Sequence, residues 1–172
     1  NPDLPILLTF AVENPTELET LKKAVKPLLP YTDIFAISVY PYNDKFTIHS
    51  LPKGWLRDIR NIAPNKPFAF GETGYIAETF EAFGISVKAS PSDQALYTRT
   101  LLSEAQALET EFVIWYLIAD YDKLWSVLQW FVWFNPIHKA WKDIGLLDGN
   151  LTPRPALKIW DQWKKRPVSD KH

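Results

Sequence analysis

One pattern recurs four times along the chain, a short apolar run followed by an amphipathic helix, and it restricts the fold more than any other feature. Ile6-Leu7-Leu8-Thr9-Phe10-Ala11-Val12 is bounded by Pro5 and Asn14-Pro15. A nearly unbroken apolar run of that length is how a strand buried in a parallel sheet reads. The segment after it opens as a helix, with Asn14 as N-cap, Pro15 at the first helical position and Glu17 three residues past the cap. Leu18, Leu21, Val25 and Leu28 then form one apolar stripe, Lys22, Lys23 and Lys26 lie largely off it, and Pro27 and Pro30 end the helix.

The second unit has the run Ile34 to Tyr40 after Asp33, a loop with Pro41, Tyr42 and Asn43, and a predicted helix from about Pro52 to Ile62. The third has Pro67-Phe68-Ala69-Phe70-Gly71-Glu72 and a long loop from Thr73 to Ala89. Its helix begins at Ser90-Pro91-Ser92-Asp93, a cap followed by proline and an acid. The fourth has Phe112 to Leu117 with Asp120-Tyr121-Asp122 at its exit, an aromatic segment from Trp125 to Phe134, and a last helix near Pro155 carrying Ile159, Trp160 and Trp163. Strands alternating with helices at about 35-residue spacing predict an α/β fold with a parallel sheet and right-handed crossovers. No internal boundary is visible, so residues 1–172 read as a single domain of four βα units. A complete eight-unit barrel needs about 200 residues or more, so four units make either an open sheet or half a barrel.

Composition narrows the function classes. With 19 basic and 20 acidic side chains, the net charge of −1 supplies no electrostatic footprint for nucleic acid or an anionic membrane surface. The most apolar run, Val127 to Phe134, is far shorter than a membrane span. A 47% hydrophobic content is incompatible with a disordered chain. Cysteine is absent, which removes disulfides and thiolate metal sites. His49, His138 and His172 share no ligand spacing, so no metal is expected, and no glycine-rich phosphate loop points to a cofactor. Methionine is absent too, so Asn1 is not expected to be the natural start; a cleaved signal peptide, a removed tag or a truncation would each account for it.

The third strand carries a specific resemblance. Lys66-Pro67-Phe68-Ala69-Phe70-Gly71-Glu72-Thr73-Gly74-Tyr75 resembles the seventh strand of the retaining (β/α)8-barrel glycoside hydrolases of the clan that includes cellulases and endo-galactanases. Ser38-Val39-Tyr40-Pro41-Tyr42 is similar to that clan's sixth strand and Phe112 to Asp122 to its eighth. Trp141, Gly145-Leu146 and Pro153-Arg154-Pro155-Ala156-Leu157 with Trp160 are similar to the ending of galactanase-like members. The resemblance covers nearly the whole chain and maps it onto strands five to eight, a half TIM barrel. It implies Glu72 as the ancestral nucleophile. It also implies Tyr40, Tyr42, Trp115 and Asp120 as residues lining a sugar site, a β-glycan as substrate and an extracellular or periplasmic location.

Two carboxyl groups about 5 to 5.5 Å apart are needed for retaining hydrolysis, and the clan keeps the acid/base on strand four. That strand has no counterpart here. Glu13 precedes Glu72 by 72 − 13 = 59 residues, two strand–helix units where the clan has three, so Glu13 is not the acid/base. A half barrel exposes two strand edges and the side chains of a barrel interior. The expected partner is therefore a second copy, forming a homodimer, or a missing N-terminal half barrel. The alternative is a non-catalytic scaffold or carbohydrate-binding fragment.

Overall fold

The computed structural model describes residues 4–12, 16–42, 47–82, 85–131 and 136–167. Residues Glu13, Asn14 and Pro15, which include the predicted first helix cap, lie outside them, as does Asn43. The elements follow the order expected: Leu7–Val12 (β1), Leu18–Val25 (α1), Ile34–Val39 (β2), Trp55–Arg60 (α2), Phe68–Thr73 (β3), Phe80–Ala82 (β4), Ile85–Val87 (β5), Pro91–Ala107 (α3), Val113–Trp115 (β6), Asp122–Leu128 (α4) and Pro155–Trp163 (α5). Among the described residues, no helix is long and apolar enough to cross a membrane. The chain divides into two compact units, Asn1–Tyr75 with Ser103–Tyr116, and Ile76–Leu102 with Leu117–His172.

The first unit holds a four-stranded, wholly parallel sheet in the order β1-β2-β3-β6. With helices between its strands, this is an α/β fold and a partial TIM barrel, and the barrel is not closed. Strand alternation sorts the side chains onto two faces. Phe35, Ile37, Phe68 and Phe70 share one face and are at most 1% exposed. The rings of Phe10, Phe35 and Phe68 run along it at centroid separations of 5.8 and 5.6 Å. Val25 of α1 and Trp55, Leu56 and Ile59 of α2 are buried in the same unit. The opposite face carries small and polar residues, Thr9, Ala11, Ala36, Ser38 and Ala69, of which Thr9 and Ala11 are exposed.

The register slips once, and the slip positions the site. Ile37 pairs with Phe70 but Ser38 pairs with Glu72, leaving Gly71 as an extra residue on β3; against β6 the same slip lies between Phe70 and Thr73. A single inserted residue inverts strand parity. Glu72 therefore lies on the face of Ser38 and Ala69, where unbroken alternation from Phe70 would have sent it to the phenylalanine layer. Glycine leaves room at the slip, since a Cβ on Gly71 would meet Thr9 Oγ1 at 2.5 Å and force that side chain to shift.

Three local readings are corrected. The predicted loop from Thr73 to Ala89 begins inside β3, and it contains the antiparallel β4–β5 pair; runs of three residues are too short to show period two. The second helix starts at Trp55 and not at Pro52, because Gly54 adopts φ 74°, outside the helical region. The fourth strand spans three residues, not six. The cap of α3 forms as expected: Ser90 Oγ accepts the Asp93 N–H at 3.2 Å and donates to Asp93 Oδ2 at 2.6 Å.

In the second unit, the buried Gln94 of α3 donates through Nε2 to the carbonyls of Ile144 and Gly145. Leu147 bridges Ala119 in parallel and Pro153 in antiparallel fashion. α5 starts at Pro155, whose missing N–H costs nothing at a first helical position, with Arg154 extended before it.

Candidate active site

At the C-terminal ends of β2, β3 and β6 the first unit gathers one carboxylate and four tyrosines. Glu72 is half-buried, and its Oε1 accepts a 2.5 Å hydrogen bond from the Tyr40 hydroxyl and a longer one, 3.4 Å, from Ser38 Oγ. Among the described residues, Oε2 receives no hydrogen bond, so the carboxylate is anchored through one oxygen and open through the other. Burial first, then the bond to Glu72 and its charge, raise the Tyr40 pKa far above the ordinary phenol range. Tyr40 therefore keeps its proton and acts as a hydrogen-bond donor to Glu72.

The aromatic side chains form a row. The Tyr40 ring meets Tyr42 at 6.2 Å and Tyr116 at 6.1 Å, both edge-on, and Tyr42 meets Tyr75 at 5.3 Å. Edge-to-face pairs of this kind hold ring orientation as well as position. Tyr75 is fully buried and its hydroxyl accepts the Ile48 N–H at 2.9 Å. Tyr42 is 8% exposed and Tyr116 43%, so Tyr116 is the more open of the two rings against Tyr40.

Of the residues singled out by sequence, Glu72, Tyr40 and Tyr42 are brought together here. Trp115 is paired in register with Thr73, the residue after Glu72, whose side chain alternation turns to the other face. Tyr116, one position on, is the aromatic residue of that strand end that reaches Tyr40. Ser38 and Tyr116 escaped the sequence reading. Ser38 carried a usable signal, two residues before Tyr40 and hence on its face. Tyr116 carried none, since Phe112 to Leu117 is apolar throughout and shows no alternation from which to choose a face.

Asp120 lies in the second unit. Its Oδ1 accepts the Gly145 N–H at 2.8 Å and Arg154 Nη1 at 2.9 Å; Arg154 Nη2 stands 2.7 Å from Oδ2 as an ion pair, off the line of a hydrogen bond. Burial pushes the Asp120 carboxyl up to about 6, against the opposing pull of Arg154 and the Gly145 amide. As placed, Asp120 ties three segments of its own chain together. Its carboxylate comes within 4.8 Å of those of Asp122 and Asp143, and Lys142 bridges the latter two. The positive charges this acidic group holds are side chains of the protein.

One further cleft, of about 290 Å³, is lined by Arg57, Arg60, Asn61 and Glu109 in the first unit. It sits where α2 ends, before β3 begins, so its arginines face the carbonyl end of a helix. Arg60 is held there by the carbonyls of Ala63 and Pro64 and over the Phe68 ring.

No protein-family model matches the sequence, and no curated protein matches it. Solved structures do. A β-glucuronidase of Faecalibacterium prausnitzii is 19% identical with a TM-score of 0.62, over 96% of this chain and 26% of its own. A β-D-glucuronidase of Dictyoglomus thermophilum is 16% identical with a TM-score of 0.58, over 97% and 27%. A glycoside hydrolase family 17 β-1,3-glucanosyltransferase of Rhizomucor miehei is 15% identical with a TM-score of 0.50, over 83% and 57%. The chain thus spans from about a quarter to just over half the length of the proteins it matches. At these identities the likeness establishes a glycoside hydrolase-like, TIM-barrel-like fold.

Proposed function

We propose that this chain carries the nucleophile side of a retaining β-glycosidase site, with Glu72 as the attacking carboxylate. The observation that supports it is the unequal treatment of the two Glu72 oxygens at a strand's C-terminal end, where barrel folds place their chemistry. Oε1 is fixed by Tyr40 and Ser38, so the carboxylate cannot rotate freely, and Oε2 is the atom left to attack. In the reaction, Oε2 bonds to the anomeric carbon as the bond to the leaving oxygen breaks, and a second carboxyl group gives that oxygen its proton. Water then cleaves the glycosyl ester, its hydroxyl going to carbon and its proton to the second group. Tyr40 serves both states, donating to a carboxylate oxygen before attack and to an ester carbonyl after it. Tyr40, Tyr42 and the more open Tyr116 line the sugar position, while Trp115 turns to the opposite face of the sheet. Two of the matched proteins are β-glucuronidases and the third is a β-1,3-glucanosyltransferase, which favours a β-glycan here. The second carboxyl group is assigned to a segment outside the four βα units, in keeping with the absence of a strand-four counterpart.

A non-catalytic carbohydrate-binding role is the second reading. It is favoured by the partners of Glu72, which are hydroxyl groups and not a second acid. Incubation of the purified chain with 2,4-dinitrophenyl β-glycosides, whose leaving group departs without a proton from an acid, run beside Glu72→Gln, separates the two. Release of dinitrophenolate with a glycosyl adduct on the chain, both lost in the variant, supports the nucleophile; binding by both without an adduct supports the scaffold; absence of both rejects the carbohydrate reading.

A further inference from the structure

Asn150-Leu151-Thr152 is an Asn-x-Ser/Thr triplet, the acceptor pattern for an N-linked sugar. The other such triplet in the chain, Asn14-Pro15-Thr16, is blocked by proline in the middle position. Asp148 stands two residues before Asn150, so the segment also has the stricter acid-x-Asn-x-Thr form that bacterial transferases require. The turn that carries it lies in the second unit, ahead of α5, and Asn150, Leu151 and Thr152 are all exposed. Asp148 shapes that turn: its Oδ1 accepts the N–H groups of Asn150 and Thr152, both at 2.8 Å, and its own N–H donates to the Thr152 carbonyl at 3.0 Å. The Asn150 carboxamide, by contrast, makes no hydrogen bond among the described residues. Leu151 is held at φ 65°, a left-handed conformation disfavoured for a bulky side chain, and at 66% exposed it gains little burial in return. Strain that packing does not offset is typical of functional loops.

We infer that Asn150 is an acceptor site for an N-linked glycan, presented by the folded turn and supplied from a polyprenyl pyrophosphate-linked sugar. An amide nitrogen is a weak nucleophile, because its lone pair is delocalised into the carbonyl. Transfer therefore needs an enzyme that can reach the carboxamide and the hydroxyl two residues on, and an exposed turn with an uncommitted carboxamide offers that access. In the step, Asn150 Nδ2 bonds to the anomeric carbon of the sugar as that carbon's bond to the pyrophosphate oxygen breaks. The pyrophosphate leaves with the bonding electrons, and the amide gives up one proton. Pro153 stiffens the backbone directly after the threonine, so transfer is slowed and occupancy is expected to be partial. The inference needs only the segment from Asp148 to Pro153 and does not depend on the reading of Glu72.

Incubation of the folded, purified chain with a bacterial oligosaccharyltransferase and a polyprenyl pyrophosphate-linked N-acetylhexosamine tests it, beside a free acceptor peptide that shows the enzyme to be active. Intact mass should rise from 19.9 kDa by one sugar in part of the sample, with the gain confined to the tryptic peptide that carries Asn150. Asn150→Gln and Thr152→Val should each lower the modified fraction at least 20-fold, with circular dichroism unchanged. No gain while the free peptide is modified overturns the inference, and so does a gain that survives Asn150→Gln. A gain seen only after the chain is unfolded also overturns it, because the folded turn would then not present the acceptor.

Discussion

Replacing Tyr40 by Phe deletes one hydroxyl group and leaves the ring packing of the tyrosine row in place. The lost contact is a 2.5 Å hydrogen bond to a half-buried carboxylate. Bonds to charged groups contribute about 1.5–3 kcal/mol net, and partial exposure of Glu72 places this one near the lower end, about 1.5–2 kcal/mol. In a chain of this length that is a fall in Tm of about 3–8 °C. Ser38→Ala removes a 3.4 Å bond at the limit of useful geometry and should cost less than about 0.5 kcal/mol. Urea unfolding followed by tryptophan fluorescence at neutral pH measures both, with the denaturant slope unchanged. The Tyr40 pKa is raised on folding, by burial and then by Glu72, so its contribution is complete below about pH 10 and is lost as pH rises further. The penalty for Tyr40→Phe should accordingly shrink above about pH 10. Equal costs for the two variants, or no cost for Tyr40→Phe, would refute the view that the phenol is the principal anchor of Glu72.

Other perturbations probe the bulge and the second unit. Gly71→Ala should destabilise by about 1–3 kcal/mol through its clash with Thr9, and Thr9→Ala in the same chain should recover most of that in denaturation curves. Asp120 has a carboxyl raised to about 6, so its effect on stability is most favourable below about pH 4 and declines as pH rises toward 6. The cost of Asp120→Asn should therefore be greater at pH 4 than at pH 7, read from parallel unfolding series. Gly145→Ala would drive a Cβ into the backbone of Asp120 and Leu147, which cannot swing aside, and should cost about 3 kcal/mol or more by the same measurement.

Much of the fold was legible because its signals are local. Pro5, Ser90 and Pro155 mark real beginnings, and the runs around Phe35 and Phe68 become strands because they are apolar on both faces. The face of each side chain was not legible. It depends on register, and the register turns on one extra residue, Gly71, which no periodicity within a six-residue strand reveals. That is why Glu72 and Tyr40 could be named in advance, since both end their strands, while Tyr116 could not be separated from Trp115. Asp120 shows the complementary limit. As a sequence feature it was an acid at a strand exit, and only the folded chain brings Arg154, 34 residues later, against it. The β4–β5 pair escaped for want of length.

The slip at Gly71 also sets how β3 can change over generations. Because Gly71 is the one residue of the strand without a partner on β2, losing its codon would leave Phe70 followed directly by Glu72 in unbroken alternation. Glu72 would stay opposite Ser38 and Thr73 would keep its hydroxyl on the Val39 carbonyl. At this one point the strand can shed a residue and keep both its acid and its core in place, whereas a loss at Phe70 or Ala69 would carry a core side chain away with it.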